Sequence, residues 1–299
     1  MNLQKILVHP RMMKAVTGLS RKEFDDLAVT FGAAVIENKR QASTAVARKF
    51  GGGRIGRLAS LPEKLLFILF YVKAYPTFDV LAAWFDFSAT NACRNVHVLL
   101  SALEKSLGRK VVLPVRQVSS LAELFARFPE MNDVFVDGMA RPVQRPRSQK
   151  RQRKLYSGKK RNHGRKSVMV TDENKRILLL TPTKSARRHD KRLADKSGLF
   201  EKIPERVTVW ADTGFQGAQR QHQNTMMPKK ATKAAPLTLE EKRENKTISG
   251  IRVVVEHAIA GIKRFRSVAE RYRNRTPRME DKFLWMAAGL WNLHLQHAT

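Results

Sequence analysis

The stretch NDVFVDG (residues 132–138) is where the pattern of the chain changes. Its alternation puts Phe135 and Asp137 on one face of a strand and Val134 and Val136 on the other. The segments after it keep to that change. RKSVMVTDENKRILLLTP (165–182) reads as a hairpin, two apolar runs joined by Asp172-Glu173-Asn174. Residues 189–201 are predicted helical, 207–212 a strand, and NTMMPKK (224–230) a short strand. Thr238 with Glu241 has capping-box spacing and opens a helix. IRVVVEHAIAGIKRF (251–265) continues that helix, with Ile251, Val254, Val255, Ile259 and Ile262 as its buried stripe. Helix then runs to the C-terminus. Strand, hairpin, helix, strand and helices predict a mixed α/β region.

The part before residue 132 reads as all-α. Ser20 and Glu23 form a second capping box for a helix over 20–36. KFGGGRIGRLAS (49–60) reads as a flexible connection; it lacks the strand-before, helix-after pattern of a phosphate loop. Pro62 suits a first helical position, and Pro76 ends the apolar helix at Tyr75. A short helix from Phe78 to Phe85, a turn at Asp86-Phe87, and a helix from the Ser88 cap to about Leu107 outline a helix-turn-helix over about 61–107. Asn91, Arg94 and Asn95 fall near the start of the last helix, where base-reading side chains sit. An ordinary helical bundle has the same outline. These readings predict an N-terminal DNA-binding region, 1–115, and a second region, 116–299.

Charge sets the partner. Fifty-seven Lys and Arg against 26 Asp and Glu leave a net +31, which repels itself unless a polyanion compensates it. Nucleic acid is the leading candidate, because binding phosphates releases condensed counterions. No basic amphipathic membrane anchor is evident. The longest apolar stretch, Leu65 to Val72, is eight residues, far short of the roughly 20 that span a bilayer. With no signal peptide evident and a single cysteine, Cys93, a reducing intracellular setting is expected. Residues 145–166 hold eleven Lys or Arg, and no acid occurs between Asp137 and Asp172. That segment reads either as a solvated loop or as a path along which Lys159, Lys160 and Arg161 meet substrate backbone.

Against this basic background, three acids invite a reason. VTVWADTGFQG (207–217) ends an apolar strand on Asp212; Asp137 ends another; Glu256 sits at the edge of an apolar helical stripe. Each alone is more simply a cap or turn former, and Asp212-Thr213-Gly214 is sound turn chemistry. Together they suit phosphodiester chemistry, in which two divalent ions stabilise the attacking and leaving oxygens. Clustered acids without such ions repel one another and take up protons more readily.

Several motifs, in order, resemble the DDE transposases of the insertion-sequence-five and Harbinger type, over about residues 17–296. VFVDGM (134–139) is similar to the first-Asp motif, and YSGKKRNHGRK (156–166) to the basic hairpin entry after it. HDKRL (189–193) is similar to the His-Asp pair before a helix, WADTGFQG (210–217) to the second-Asp motif, and RVVVEHAIAGIKRFR (252–266) to the third-acid helix. Arg252, Glu256 and Lys263 keep the spacing of a Tyr-Arg-Glu-Lys signature, with Ser249 where the tyrosine would be.

The resemblance implies a ribonuclease H-like mixed sheet with flanking helices, in which the first and fourth strands are neighbours and a helix lies across their ends. Asp137, Asp212 and Glu256 would then be catalytic and would hold two Mg²⁺, with Mn²⁺ as substitute. Arg252 and Lys263 would contact DNA. Asp190 would cap its helix beside His189, both in structural roles. The implied activity is transposition: binding of terminal inverted repeats of double-stranded DNA, cleavage, and attack of the freed 3′-hydroxyl on target DNA. A homodimer on DNA is implied, in the cytoplasm at the nucleoid of a prokaryotic host, with neither membrane nor small-molecule substrate. A silent DNA-binding regulator and a nuclease without strand transfer are the alternatives.

Overall fold

The computed structural model describes residues 3–45, 56–232, 235–274 and 276–298. Most of the glycine-rich stretch at 49–60 lies outside the described residues. The chain divides into two compact units: Met1–Leu113 with Lys263–Ala269 and Lys282–Thr299, and Pro114–Ile262 with Glu270–Asp281.

The first unit is helical. It contains α1 (Leu3–Val8), α2 (Pro10–Thr17), α3 (Arg21–Ala45), α4 (Leu61–Ala74), α5 (Phe78–Phe85) and α6 (Ala89–Arg109). Ser20 and Glu23 exchange bonds as a capping box, and Ser60 with Glu63 forms another. Every residue from Leu65 to Val72 on α4 is buried, which makes it the central helix of this unit. Tyr75 turns the chain at φ 49° before Pro76, and Asp86 at φ 56° separates α5 from α6. The short helix, tight turn and longer helix expected at 78–107 are therefore present.

Helix α3 runs nine residues beyond the expected end at 36, because Glu37 pairs with Lys105 at 2.6 Å and with Arg109 on α6. From the far end of the chain come α12 (Arg266–Ala269) and most of α13 (Met279–Ala298). Sequence pattern puts these residues in the second region. They belong here because α13 is held within this unit: Asn292 donates to the Val112 carbonyl at 2.8 Å and His294 meets Glu23 at 2.6 Å.

The second unit carries the mixed sheet. Its elements are α7 (Leu121–Arg127), β1 (Asp133–Pro142), α8 (Gln149–Leu155), β2 (Tyr156–Ser157), β3 (Asn162–Asp172), β4 (Ile177–Leu180), β5 (Lys184–Ser185), α9 (Asp190–Ser197), β6 (Thr208–Ala211), β7 (Thr225–Met226), α10 (Leu239–Ile251) and α11 (Val253–Lys263), the last residue of which falls in the first unit. Strand β1 pairs antiparallel with β3 and parallel with β6, which pairs parallel with β7; β4 pairs antiparallel with β3. The path β4-β3-β1-β6-β7 is the ribonuclease H-like order, with one hairpin followed by crossover strands.

Val134, Val136, Val168, Val170 and Val209 pack with Leu121 and Phe125 of α7 and Leu193 of α9, and Phe200 and Phe215 fill the same core. The helix expected to run unbroken through 251–265 is instead interrupted at Arg252, which ends α10. Helix α10 buries no residue, so only the second half of that segment packs. Val255, Ala258, Gly261 and Ile262 are its buried face, whereas Ile251 is exposed and Val254 and Ile259 are half-buried. Among the described residues no helix is long and apolar enough to cross a membrane.

Candidate active site

Strand register builds the site. In the parallel pair, Val136 faces Ala211. Asp137 and Asp212 are the next residues on these two strands, and neighbouring strands run about 4.8 Å apart. The two carboxylates thus leave the sheet side by side. The apolar residues before each aspartate, Val136 and Ala211, are fully buried, so core packing fixes both backbones up to the site.

Each aspartate is held by its own turn. Asp137 accepts from the Gly138 N–H at 2.6 Å. Asp212 accepts from the Thr213 hydroxyl at 2.8 Å and the Gly214 N–H at 3.1 Å, capping a short 3-10 turn over Thr213–Phe215. In both residues these bonds engage Oδ1 alone.

The pair is electrostatically unequal. Burial pushes the Asp137 carboxyl above its usual range, and the charges of Asp212 and Asp190 add to that; the Gly138 N–H and Arg252 only partly offset it. Burial acts on Asp212 too, but the Thr213 and Gly214 bonds and the charges of Arg252 and Lys159 outweigh it and hold its carboxyl below the usual range. The inequality comes from unequal burial and from the two hydrogen bonds that Asp212 alone receives from Thr213 and Gly214.

The third acid does not join them. Among the described residues no group of three or more His, Cys, Asp or Glu is close enough to hold one metal ion. Glu256 lies exposed on α11, one turn beyond Arg252. The charge that reaches both aspartates from this segment is Arg252, which stands at the break between α10 and α11. Its Nε is buried without a hydrogen bond. An opposite charge near a carboxylate favours its ionised form, and Arg252 acts on both aspartates in that sense.

The basic and polar residues expected to meet DNA are spread over several elements. Lys159, Lys160 and Arg161 are exposed in the turn between β2 and β3, and Lys159 is near enough to act on Asp212. Residues 145–166 are more than a loop. They include α8, whose seven residues bury nothing, tied down by Gln152 donating to the Pro146 carbonyl at 2.7 Å. Asn91 and Arg94 are exposed at the start of α6, but the Asn95 amide donates back to the Asn91 carbonyl at 2.9 Å. Lys263 is exposed at the end of α11.

His189 is the N-cap of α9 and makes no side-chain cap bond. Asp190 is the first helical residue and does not cap either. Its carboxylate pairs with Lys166 of β3 at 3.0 Å. Sequence reasoning missed this pair, and missed Gly138 and Gly214 beside it. A glycine directly after Asp137 and two after Asp212 was the available signal, because glycine in a strand often marks close approach of another group.

Comparison with known proteins agrees with this geometry. Residues 136–292 match the family model described as DDE superfamily endonuclease, and residues 56–109 match the helix-turn-helix of DDE superfamily endonuclease. The chain is 28% identical over 285 residues to a probable transposase for insertion sequence element IS702 of Microchaete diplosiphon, covering 95% of each chain. No solved structure matches it. Asp137, expected to end its strand, lies midway along β1, which continues to Pro142 against β3; it is the parallel pairing with β6 that stops at Val136 and Ala211. Two aspartates following that pairing in a ribonuclease H-like sheet, in a chain that also carries a helix-turn-helix, agree with the matched model: the chain belongs to the DDE superfamily endonucleases.

Proposed function

We propose that the protein is the transposase of a mobile DNA element. Its helical region, within residues 1–115, binds terminal inverted repeats through Asn91 and Arg94, with Asn95 beside them on α6. The nuclease region cuts there and joins the freed 3′-hydroxyl to target DNA. The observation that carries this reading is the register that seats Asp137 beside Asp212. The name of the IS702 relative supports it. Because two DNA ends react together, a homodimer on DNA is the working unit, in the cytoplasm at the nucleoid.

The donor set fits a hard divalent cation. Both acids are oxygen ligands, and each spends one oxygen on local hydrogen bonds, leaving the other free for a cation. Asp137 and Asp212 would hold two Mg²⁺, replaceable by Mn²⁺, and Glu256 would complete the set. Such ions supply an activated water and charge stabilisation at the phosphate. The chain's own residues do the rest. Arg252 neutralises the pair until phosphate arrives and then grips it. When it turns outward, Glu256 on the next turn of the same segment comes within reach of the aspartates. Lys159, Lys160, Arg161 and Lys263 hold the backbone of the DNA without reading its sequence.

The test is to incubate the protein with Mg²⁺ and labelled DNA from the ends of the element. Cleaved and joined products are expected. Cleavage without joining leaves a plain nuclease, and binding without cleavage leaves a silent regulator; either result overturns the proposal.

A second measurement checks the basic turn. Replacing Lys159, Lys160 and Arg161 together by alanine should weaken binding equally on element-end and unrelated DNA. The slope of log affinity against log salt should fall by about 0.9 for each phosphate that is no longer neutralised. A weakening confined to element-end DNA counts against backbone binding here.

A further inference from the structure

Gly138 follows Val134 and Val136 by alternation, so it faces the side of β1 that α7 and α9 cover. A Cβ at Gly138 would meet Asp190 Oδ1 at 2.0 Å and its Cγ at 2.7 Å. A Cβ at Gly214 would meet Asp190 Oδ2 at 3.4 Å. The Asp190 carboxylate therefore lies in the space that the missing Gly138 side chain leaves, directly after Asp137, and in ordinary contact range of Gly214, two residues after Asp212. Substitution at Gly138 is sterically impossible without moving it.

The arrangement is costly unless it does something. Asp190 Oδ2 accepts from Lys166 at 3.1 Å. Lys166 also lies 3.0 Å from Oδ1, but with poor alignment, and Oδ1 is buried without a hydrogen bond. The Lys166 ammonium also donates to the Arg188 carbonyl at 3.3 Å. A buried carboxylate oxygen left unsatisfied costs more than a hydrogen bond returns. Asp190 is not the cap of α9, a position that His189 takes; its Oδ2 goes to Lys166 instead.

We propose that Asp190 is a positioning residue for the aspartate pair. Seated in the gap at Gly138, within contact range of Gly214 and held by Lys166, it fixes the spacing of Asp137 and Asp212 and adds a third negative charge behind them. This deepens the reading of that pair as a divalent-cation site and rests on it. Asp190 need not touch the ion. It acts as outer residues of metal sites do, by orienting the groups that bind, and replacing such residues typically weakens metal affinity by roughly 10–100-fold.

The experiment uses Mn²⁺ as the probe, titrated into the full chain without DNA and followed by the electron paramagnetic resonance of the free ion. Wild type, Asp190→Asn, Gly138→Ala and Asp212→Asn are compared, with a thermal melt of each. Asp190→Asn keeps shape and hydrogen bonding but removes the charge; Gly138→Ala keeps the charge but displaces the carboxylate. Both should bind Mn²⁺ roughly 10–100-fold more weakly while melting cooperatively. In cleavage assays both should need proportionately more Mg²⁺ for half-maximal rate and recover rate when it is supplied.

Wild-type Mn²⁺ affinity in a folded Asp190→Asn or Gly138→Ala overturns the proposal. So does failure of both variants to fold, which makes Asp190 a stability residue. A different outcome strikes the pair itself. If wild type binds no Mn²⁺, or if Asp212→Asn binds it unchanged, the cation site assigned to Asp137 and Asp212 fails whatever Asp190 does.

Discussion

Asp212→Asn is expected to lower metal-dependent DNA cleavage on the order of a thousandfold or more, with folding and DNA binding intact. The size follows from the reaction. Divalent ions supply several kcal/mol of charge stabilisation in phosphoryl transfer, and about 1.4 kcal/mol is a factor of ten in rate. Asparagine is the informative replacement because Asp212 has two jobs. It caps the turn at Thr213–Phe215 by accepting from Gly214 and Thr213. An amide oxygen accepts the same bonds, so the turn survives and only the anionic ligand is removed. Asp212→Ala would remove the cap as well, at about 1 kcal/mol, and confuse the two. DNA binding should hold or rise slightly, since a negative charge facing phosphates is gone. Single-turnover cleavage and a gel-shift titration measure the two quantities. If Asp212→Asn cuts at the normal rate, Asp212 is a turn former and nothing more.

The same residue shows how far the sequence can be read. Apolar runs ending in acid locate Asp137 and Asp212, because strand alternation and core burial are local signals that residues carry in order. The sheet order is implied by the family resemblance of the motifs rather than by local pattern. Helix ends at Ser20, Ser60, Ser88 and Thr238 are legible for the same reason, each cap being written within four residues. The illegible part depends on groups distant in sequence. The break at Arg252 has no proline or glycine at that position and arises from which half of the segment finds a core. Motif spacing groups Glu256 with the aspartates, whereas charge compensation puts Arg252 near them. Asp190 looks like a cap from its neighbour in sequence; its actual partners, Lys166, Gly138 and Gly214, come from three other segments. The return of α13 to the helical unit likewise turns on Val112 and Glu23, distant from it along the chain by 180 and 271 residues.

The largest effect on stability is expected at Arg141→Met, in the strand that carries Asp137. Arg141 is buried on β1, where it donates to the Glu280 carbonyl and, at 2.6 Å, to the Thr183 hydroxyl. Asp281 faces the same network, accepting from the Thr183 N–H at 3.0 Å and pairing with Arg116. Burial lowers the Arg141 pKa to about 10, with Asp281 and Glu280 working against that, so the guanidinium stays charged at neutral pH. Removing it leaves a buried carbonyl, a hydroxyl and two acids with one cation fewer. Breaking such a buried charge network typically costs about 3–5 kcal/mol, which for a domain of this size is roughly 6–20 °C in Tm. The Arg141 Nε is itself unpaired, which places the cost toward the lower end. Arg165→Met is the control. Arg165 lies opposite Arg141 in the β1–β3 ladder and pairs with Glu280 at 3.0 Å, yet its side chain is 37% exposed. Glu280 is buried, but it keeps the nearby charge of Arg141 when Arg165 is lost, so the loss should be smaller than that of the fully buried Arg141. Thermal melts of the two variants should therefore differ by several degrees. Equal melting temperatures would mean that β1 is held by its apolar residues alone, and that the charge on Arg141 contributes nothing to seating Asp137.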